Sequence, residues 1–386
     1  MDTPIDSREI LEYQWPYLRG WFPADLEEMA REAGAITRRR AVDSAATLLR
    51  LALAYGYCGM SLRQTAAWAE AAEIASLSDV ALLKRLRGAD QWLGRLLGAK
   101  LAERAALTMP GKCGLRLRIV DATTVNRPGT VGTDLRVHLG YRADRMAIEG
   151  VELTTAAGGE SLTRFPVREG EVTLADRGYA NRPGLWWVSQ AGGYFIVRLN
   201  WQNLPLQHPN GERFDLLAAL RGLPEAQVGE FAVRTAPDRR AGIPAIAARM
   251  VAIRRSEPAA GQARARIIKE RSKKRLARHL DPRTLESAGY VFLLTNHPDL
   301  SPVQILEWYR FRWQIELAFK RLKGVLTLDQ IAAKDTALAR TFLYAKLLTA
   351  LLLEDFTGCM LAFSPWGLPK PRPPTMLVAD ATRLAG

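Results

Sequence analysis

Three carboxylates stand where chain elements end or begin to pack: Asp121 closes the apolar run LRLRIV, Asp176 closes VTLA, and Glu316 lies on a helical stretch opened by Ser301-Pro302. Each alone has an ordinary explanation, since an Asp at a strand end commonly forms a turn and a helical Glu commonly pairs with a basic neighbour. Their combination asks for more. Carboxylates on central strands lose hydration and must be hydrogen-bonded, paired or bound to a cation. Two strand acids and one helix acid make a hard-oxygen set suited to Mg²⁺, with Mn²⁺ able to substitute. Such a set can activate water, and then a freed 3′-hydroxyl, for in-line attack on a phosphodiester.

The helix beginning at Pro302 presents Tyr309, Arg312, Glu316 and Lys323 at i, i+3, i+7 and i+14, which places them within an arc of about 60°. Beside that arc, Trp308, Phe311, Ile315, Phe319 and Leu322 form an apolar stripe about 80° wide. The pattern predicts one helix through about Leu322, packed on a sheet, with its polar arc at the edge of the buried face. Taken alone, it is better explained as a helix laced by its own salt bridges.

Asp121-Ala122-Thr123-Thr124, Asp176-Arg177-Gly178-Tyr179 and Tyr309-x2-Arg312-x3-Glu316-x6-Lys323 together resemble the DDE transposases of bacterial insertion sequences. More narrowly, the chain is similar to the branch marked by a Tyr-Arg-Glu-Lys signature, over about residues 59 to 355. The resemblance implies an α/β fold: a ribonuclease-H-like mixed sheet flanked by helices and interrupted by a mostly β insertion. It also implies that Asp121, Asp176 and Glu316 are catalytic and bind metal, while Tyr309, Arg312 and Lys323 hold DNA phosphates. The implied partners are double-stranded DNA, at element ends and targets, and a second copy of the chain on that DNA. One departure is that the family's base-stacking aromatic is not identifiable in the insertion; Trp201 is a candidate that core packing explains better.

Five segments must position these residues. Residues 1–105 read as an all-α DNA-binding domain, 106–200 as the first part of the core, and 201–288 as the insertion. Residues 289–330 read as the second part of the core, and 331–386 as a C-terminal helical region and tail. Strands are predicted at 115–122, 134–142, 148–155, 172–176, 194–199, 229–235, 244–255 and 289–295. Within the N-terminal domain, Ser61 and Gln64 form a capping box, and Ser78 caps a second helix to about Arg87. On that second helix Lys84 and Arg85 face away from Leu82, Leu83 and Leu86, as a recognition helix in a major groove requires. A plain helical hairpin with a solvated face fits the same pattern.

Composition narrows the partner class. Fifty-four Lys and Arg against forty Asp and Glu give a net charge of +14, which favours polyanions. The basic run from Arg264 to Arg278 can track a DNA backbone. The apolar stretch Phe342 to Leu353 is broken by Lys346 and reads as too short to span a bilayer. The opening MDTPIDSREI lacks a signal pattern, so the expected setting is the cytoplasm, at the nucleoid. Cys58, Cys113 and Cys359 show no metal spacing and read as buried thiols, and His138 reads as a packed or surface-exposed strand residue rather than a ligand. Two rival functions remain at this stage: a catalytically silent DNA-binding protein, against which three intact acids argue, and a metal-dependent nuclease that cuts without joining.

Overall fold

The computed structural model describes residues 15–106, 116–273 and 280–362, apart from 131, 133, 144, 145 and 226. Alternating apolar residues and Gly-bearing turns build three antiparallel strands: β1 (Arg116–Val125), β2 (Leu135–Arg142) and β3 (Ala147–Thr155). Two short strands, β4 (Glu171–Ala175) and β5 (Tyr194–Arg198), then add parallel to β1. All five residues of β4 are buried, as expected of a parallel strand covered on both faces.

The mixed sheet continues beyond β5. Strand β9 (Tyr290–Thr295) pairs antiparallel with β5, and β8 (Ala247–Arg254), β7 (Val228–Thr235) and the short β6 (Leu206–Gln207) follow outward. One nine-stranded sheet results, in the order β3-β2-β1-β4-β5-β9-β8-β7-β6. The strands of segment 201–288 therefore do not form a sheet of their own, because their hydrogen-bonding edge is completed by β9.

Successive strand residues serve two cores. Ile119, Leu174, Ile196, Val251 and Leu293 face one layer, while Val120, Ala175, Val197, Met250 and Leu294 face the other. The first layer holds α1 (Leu26–Glu32), α2 (Ala45–Tyr57), α3 (Leu62–Ala71), α4 (Asp79–Arg87) and α5 (Asp90–Ala106). The second includes α6 (Arg182–Gln190) and α7 (Leu216–Arg221). Helices α8 (Glu257–Lys273) and α9 (Pro282–Ser287) lead to β9; α8 starts ahead of the basic run at 264–278, whose residues 274–278 lie outside the described ones.

The helix expected from Pro302 to Leu322 is two helices, α10 (Pro302–Arg310) and α11 (Trp313–Val325). At the joint, Arg312 N–H bonds the Tyr309 carbonyl, Gln314 N–H that of Phe311, and Ile315 N–H that of Arg312. These i to i−3 bonds tighten the turn and redirect the chain. Phe311 consequently leaves the predicted apolar stripe and is 48% exposed, while Ile315, Phe319 and Leu322 stay buried.

The last helix, α12 (Thr336–Ala362), corrects the estimate made from its apolar run. Its segment Thr336–Thr357 is long and apolar enough to cross a membrane, yet 72% of that window is buried inside the protein. It packs on α2 and α5, and Gly56 of α2 allows the approach, since a Cβ there would meet Ala345 Cβ at 2.6 Å. Cys58, expected to be buried, is exposed beyond the end of α2; Cys113 and the Cys359 side chain lie outside the described residues. Of the packed and surface-exposed readings of His138 the packed one holds: it lies 3.0 Å from Thr154 Oγ1, and burial with nearby Arg164 and Arg136 lowers its pKa to about 4.

Lys346 is the fully buried cation of α12. Its ammonium donates to the Thr327 carbonyl at 2.6 Å and to Thr327 Oγ1 at 2.7 Å, just past the end of α11. Thr327 has φ +47°, a left-handed conformation costly for a β-branched residue. Burial lowers the Lys346 pKa to about 8, yet the two acceptors keep the charge useful. Lys346→Met should destabilise the protein by roughly 1–3 kcal/mol, because it removes the charged donor shared by the Thr327 carbonyl and hydroxyl. Urea denaturation at pH 7 measures this; an unchanged midpoint would mean that the turn holds itself.

Candidate active site

Strand pairing brings the first two acids together. Val120 on β1 is in register with Ala175 on the parallel β4, so Asp121 and Asp176 are the next residues on neighbouring strands. Their register is reinforced upstream by a buried ion pair between the strands, in which Arg118 Nε lies 2.9 Å from Glu171 Oε1. Asp176 precedes a short 3₁₀ turn, Arg177–Tyr179, without capping it by its side chain. The turn-former explanation therefore does not account for that carboxylate.

The third acid arrives on α11, which packs over β1. Glu316 is 57% exposed and its Oε1 accepts from Arg312 Nη2 at 2.6 Å, while Arg312 Nη1 lies 3.9 Å from Asp121 Oδ2. Arg312 thus stands between the helix acid and a strand acid. Tyr309 Oη donates to Asp176 Oδ1 across 3.4 Å. Burial first, and then the Asp176 charge, raise the Tyr309 pKa above its ordinary value, so the hydroxyl remains a donor. Lys323, on the same helix, lines a shallow groove with Glu316, Phe319, Lys320 and Gly324.

Asp121 carries the electrostatic strain of the site. Burial raises its pKa to about 6, with Asp176 and Glu160 adding to the rise; the Ala122 N–H and Arg312 oppose it. Its side chain is only 21% exposed. Arg312 therefore compensates the acids incompletely, which is the condition under which desolvated carboxylates take up a hard cation. Among the described residues, no group of three or more His, Cys, Asp or Glu stands close enough to hold a metal ion as the side chains lie. The donor chemistry of Asp121 and Asp176 fits a divalent ion, while Glu316 is turned to Arg312.

The remaining sequence candidates lie elsewhere. Helices α3 and α4 carry the predicted side-chain caps at Ser61 and Ser78, including the Ser61–Gln64 capping box. Lys84 is exposed, but Arg85 donates to the Arg38 carbonyl at 2.6 Å and so has a structural task. Neither bonds a site carboxylate among the described residues. Trp201 is half-buried beneath Arg283, 5.5 Å from its ring centre, beside a cavity of about 230 Å³ that Arg213 and Arg221 also line. Sequence reasoning missed Glu160, which sits in the polar loop AAGGES with no motif spacing to mark it.

Residues 112–353 match the transposase DDE domain family, and the chain belongs to this family of DNA transposases, enzymes that cut and join DNA and are generally dependent on divalent metal. It is 42% identical over 349 residues to the transposase for insertion sequence element IS421 of Escherichia coli, covering 89% of this chain and 93% of that protein. The InsL protein for insertion sequence element IS186A of E. coli is likewise 42% identical, over 348 residues, with the same coverage. Among solved structures, a piggyBac transposase synaptic complex with hairpin DNA has a TM-score of 0.46 and 9% identity, covering 88% of this chain and 74% of that one.

The raised Asp121 pKa has a definite sign for stability. Above the ordinary carboxylate range the unfolded chain releases this proton while the folded chain keeps it, so stability falls as pH rises from about 4 to about 6. Asp121→Asn removes that loss. Without metal, the variant should gain on wild type through this window, reaching on the order of 1–3 kcal/mol above pH 6. Thermal melts at pH 4, 5, 6 and 7 test it; a constant difference across the series would show that Asp121 does not titrate there.

Proposed function

We propose that this transposase binds the ends of a mobile element and performs metal-dependent phosphodiester hydrolysis and strand transfer, with Asp121, Asp176 and Glu316 as its catalytic carboxylates. The observation that carries this reading is the desolvated Asp121 beside Asp176 at adjacent strand ends, under a helix whose Arg312 reaches both Asp121 and Glu316. The order β3-β2-β1-β4-β5, antiparallel and then parallel, supports a ribonuclease-H-like core over 106–200 and 289–330. On this reading 201–288 is the insertion, 1–105 the DNA-binding domain, and 331–386 the C-terminal region.

Asp121, Asp176 and Glu316 would hold Mg²⁺, or Mn²⁺ in its place; when bound, such ions activate water and a 3′-hydroxyl and stabilise charge on the phosphodiester. Arg312 is held by carboxylates on either side and exchanges them for a DNA phosphate, which frees Glu316 to turn toward the aspartates. Tyr309 fixes the orientation of Asp176 through its hydroxyl. Lys323, farther along α11, holds the adjoining phosphate as a point charge. These contacts position the scissile bond and carry no sequence information. The net charge of +14 supports double-stranded DNA as partner, with two copies of the chain assembling on it in the bacterial cytoplasm, at the nucleoid.

Asp121→Ala, Asp176→Ala and Glu316→Ala should each abolish Mg²⁺-dependent cleavage, and also the joining of pre-cut 3′-hydroxyl ends, while gel shifts still report end binding. Cleavage surviving in any of the three would remove that residue from the catalytic set. Wild type that cuts but never joins pre-cut ends would instead be a nuclease.

For end recognition by α3 and α4, Lys84 is the informative residue because Arg85 is occupied in the fold. Lys84→Ala should weaken binding to element ends and reduce the slope of log K against log salt by about 0.9, one phosphate's worth. Gel shifts at several salt concentrations measure the slope. An unchanged slope would return this hairpin to a purely structural role.

A further inference from the structure

We infer that Glu160 is a fourth carboxylate of the active site and joins Asp121 and Asp176 in binding the divalent cation. The inference deepens the reading above and rests on it. Glu160 lies in the loop between β3 and a short 3₁₀ turn, Leu162–Arg164, yet its side chain is seated on the turn that follows Asp176. A Cβ placed on Gly178 would lie 1.6 Å from Glu160 Oε2, so the missing side chain at 178 is what makes room for the carboxylate.

Its backbone is anchored on both sides. Arg164 donates to the Gly159 carbonyl at 2.9 and 2.6 Å, and Asn181 donates to the Glu160 carbonyl at 3.2 Å while capping α6. The side chain has no such tether. Arg164, the neighbouring cation, pairs instead with Glu152 at 2.8 Å, and no ion pair reaches Glu160 among the described residues. A seated but uncompensated acid is poised for a cation rather than for a structural bridge.

Two further observations point into the same space. Glu160 Oε2 packs on Gly178, two residues after Asp176. Tyr179, with a side chain of 0% exposure, has a hydroxyl with no hydrogen-bond partner among the described residues, and the charges that bear on it include Asp121 and Glu160, with Arg164 and Arg136 opposing them. A buried hydroxyl left unpaired is costly unless something polar completes it, and a hydrated ion between the acids would do so. Because Mg²⁺ retains several waters and commonly touches protein through only one or two carboxylates, acids too far apart to chelate it directly can still share its hydration shell.

The test uses full-length protein and Mn²⁺ as probe, with free Mn²⁺ read by electron paramagnetic resonance and melts recorded without metal. Asp121→Asn should abolish specific Mn²⁺ binding, which checks the underlying metal reading. Glu160→Gln should weaken Mn²⁺ binding about tenfold or more while the metal-free melting temperature holds or rises. Gly178→Ala displaces only the flexible end of Glu160, so it should fold and copy the Glu160→Gln loss. In the Glu160→Gln background it should add nothing further. If Asp121→Asn loses Mn²⁺ while Glu160→Gln binds it like wild type, the inference fails and the proposed function stands. If Asp121→Asn also binds like wild type, both fail. A Glu160→Gln protein that melts lower with unchanged Mn²⁺ affinity would make Glu160 a structural residue, again overturning the inference.

Discussion

Asp121, withdrawn from water at the end of its strand, and Asp176, at the same level beyond the neighbouring parallel strand, carry like charges that repel. The rest of the architecture accommodates that repulsion. The buried Arg118–Glu171 pair locks β1 against β4 just upstream, so Asp121 and Asp176 cannot drift apart by a register slip. Tyr309 donates to one acid and Arg312 approaches the other, and the raised pKa of Asp121 measures what this compensation leaves undone.

The break between α10 and α11 follows from the same constraint. A straight helix would keep Phe311 in the apolar stripe and carry the whole polar arc along one line. The tightened turn at Phe311–Arg312 instead lets α10 pack beside β5, β7 and β8 while α11 lies over β1. Arg312 falls at the joint, where one guanidinium can reach both a strand acid and Glu316. Glu316 in the first turn of α11 also lies at the positive end of that helix, where a carboxylate is favoured. At the other end, Lys346 fixes the turn at Thr327, so α11 is held at both of its ends.

The sheet and its helical covers are shared across the chain. Helices α1 to α5 bury the same core as α12 and one face of the sheet, and β6 to β8 lengthen the core's own sheet through β9. A long apolar helix that could satisfy a bilayer by length and composition satisfies α2 and α5 instead. Tertiary burial provides what its hydropathy requires.

Much of this architecture was legible in the residues. Period-two apolar runs marked the principal strands, and Ser-x-x-Gln and Ser-Pro openings marked helix starts, because strand alternation and capping are satisfied within a few residues of chain. The candidate acids Asp121, Asp176 and Glu316 were likewise visible, as strand-end and helix-face residues beside a spaced Tyr, Arg and Lys. What sequence alone could not determine depends on distant segments meeting. The bend that exposes Phe311, the Arg38 carbonyl that occupies Arg85, and the union of β6 to β8 with the main sheet all rest on contacts with no local periodic signature. Glu160 is the clearest case: nothing in AAGGES marks it, and its carboxylate reaches the turn beyond β4 only because Gly178 leaves space for it there. Local pattern decides which residues can form an element, whereas strand order and packing decide which charges must face one another.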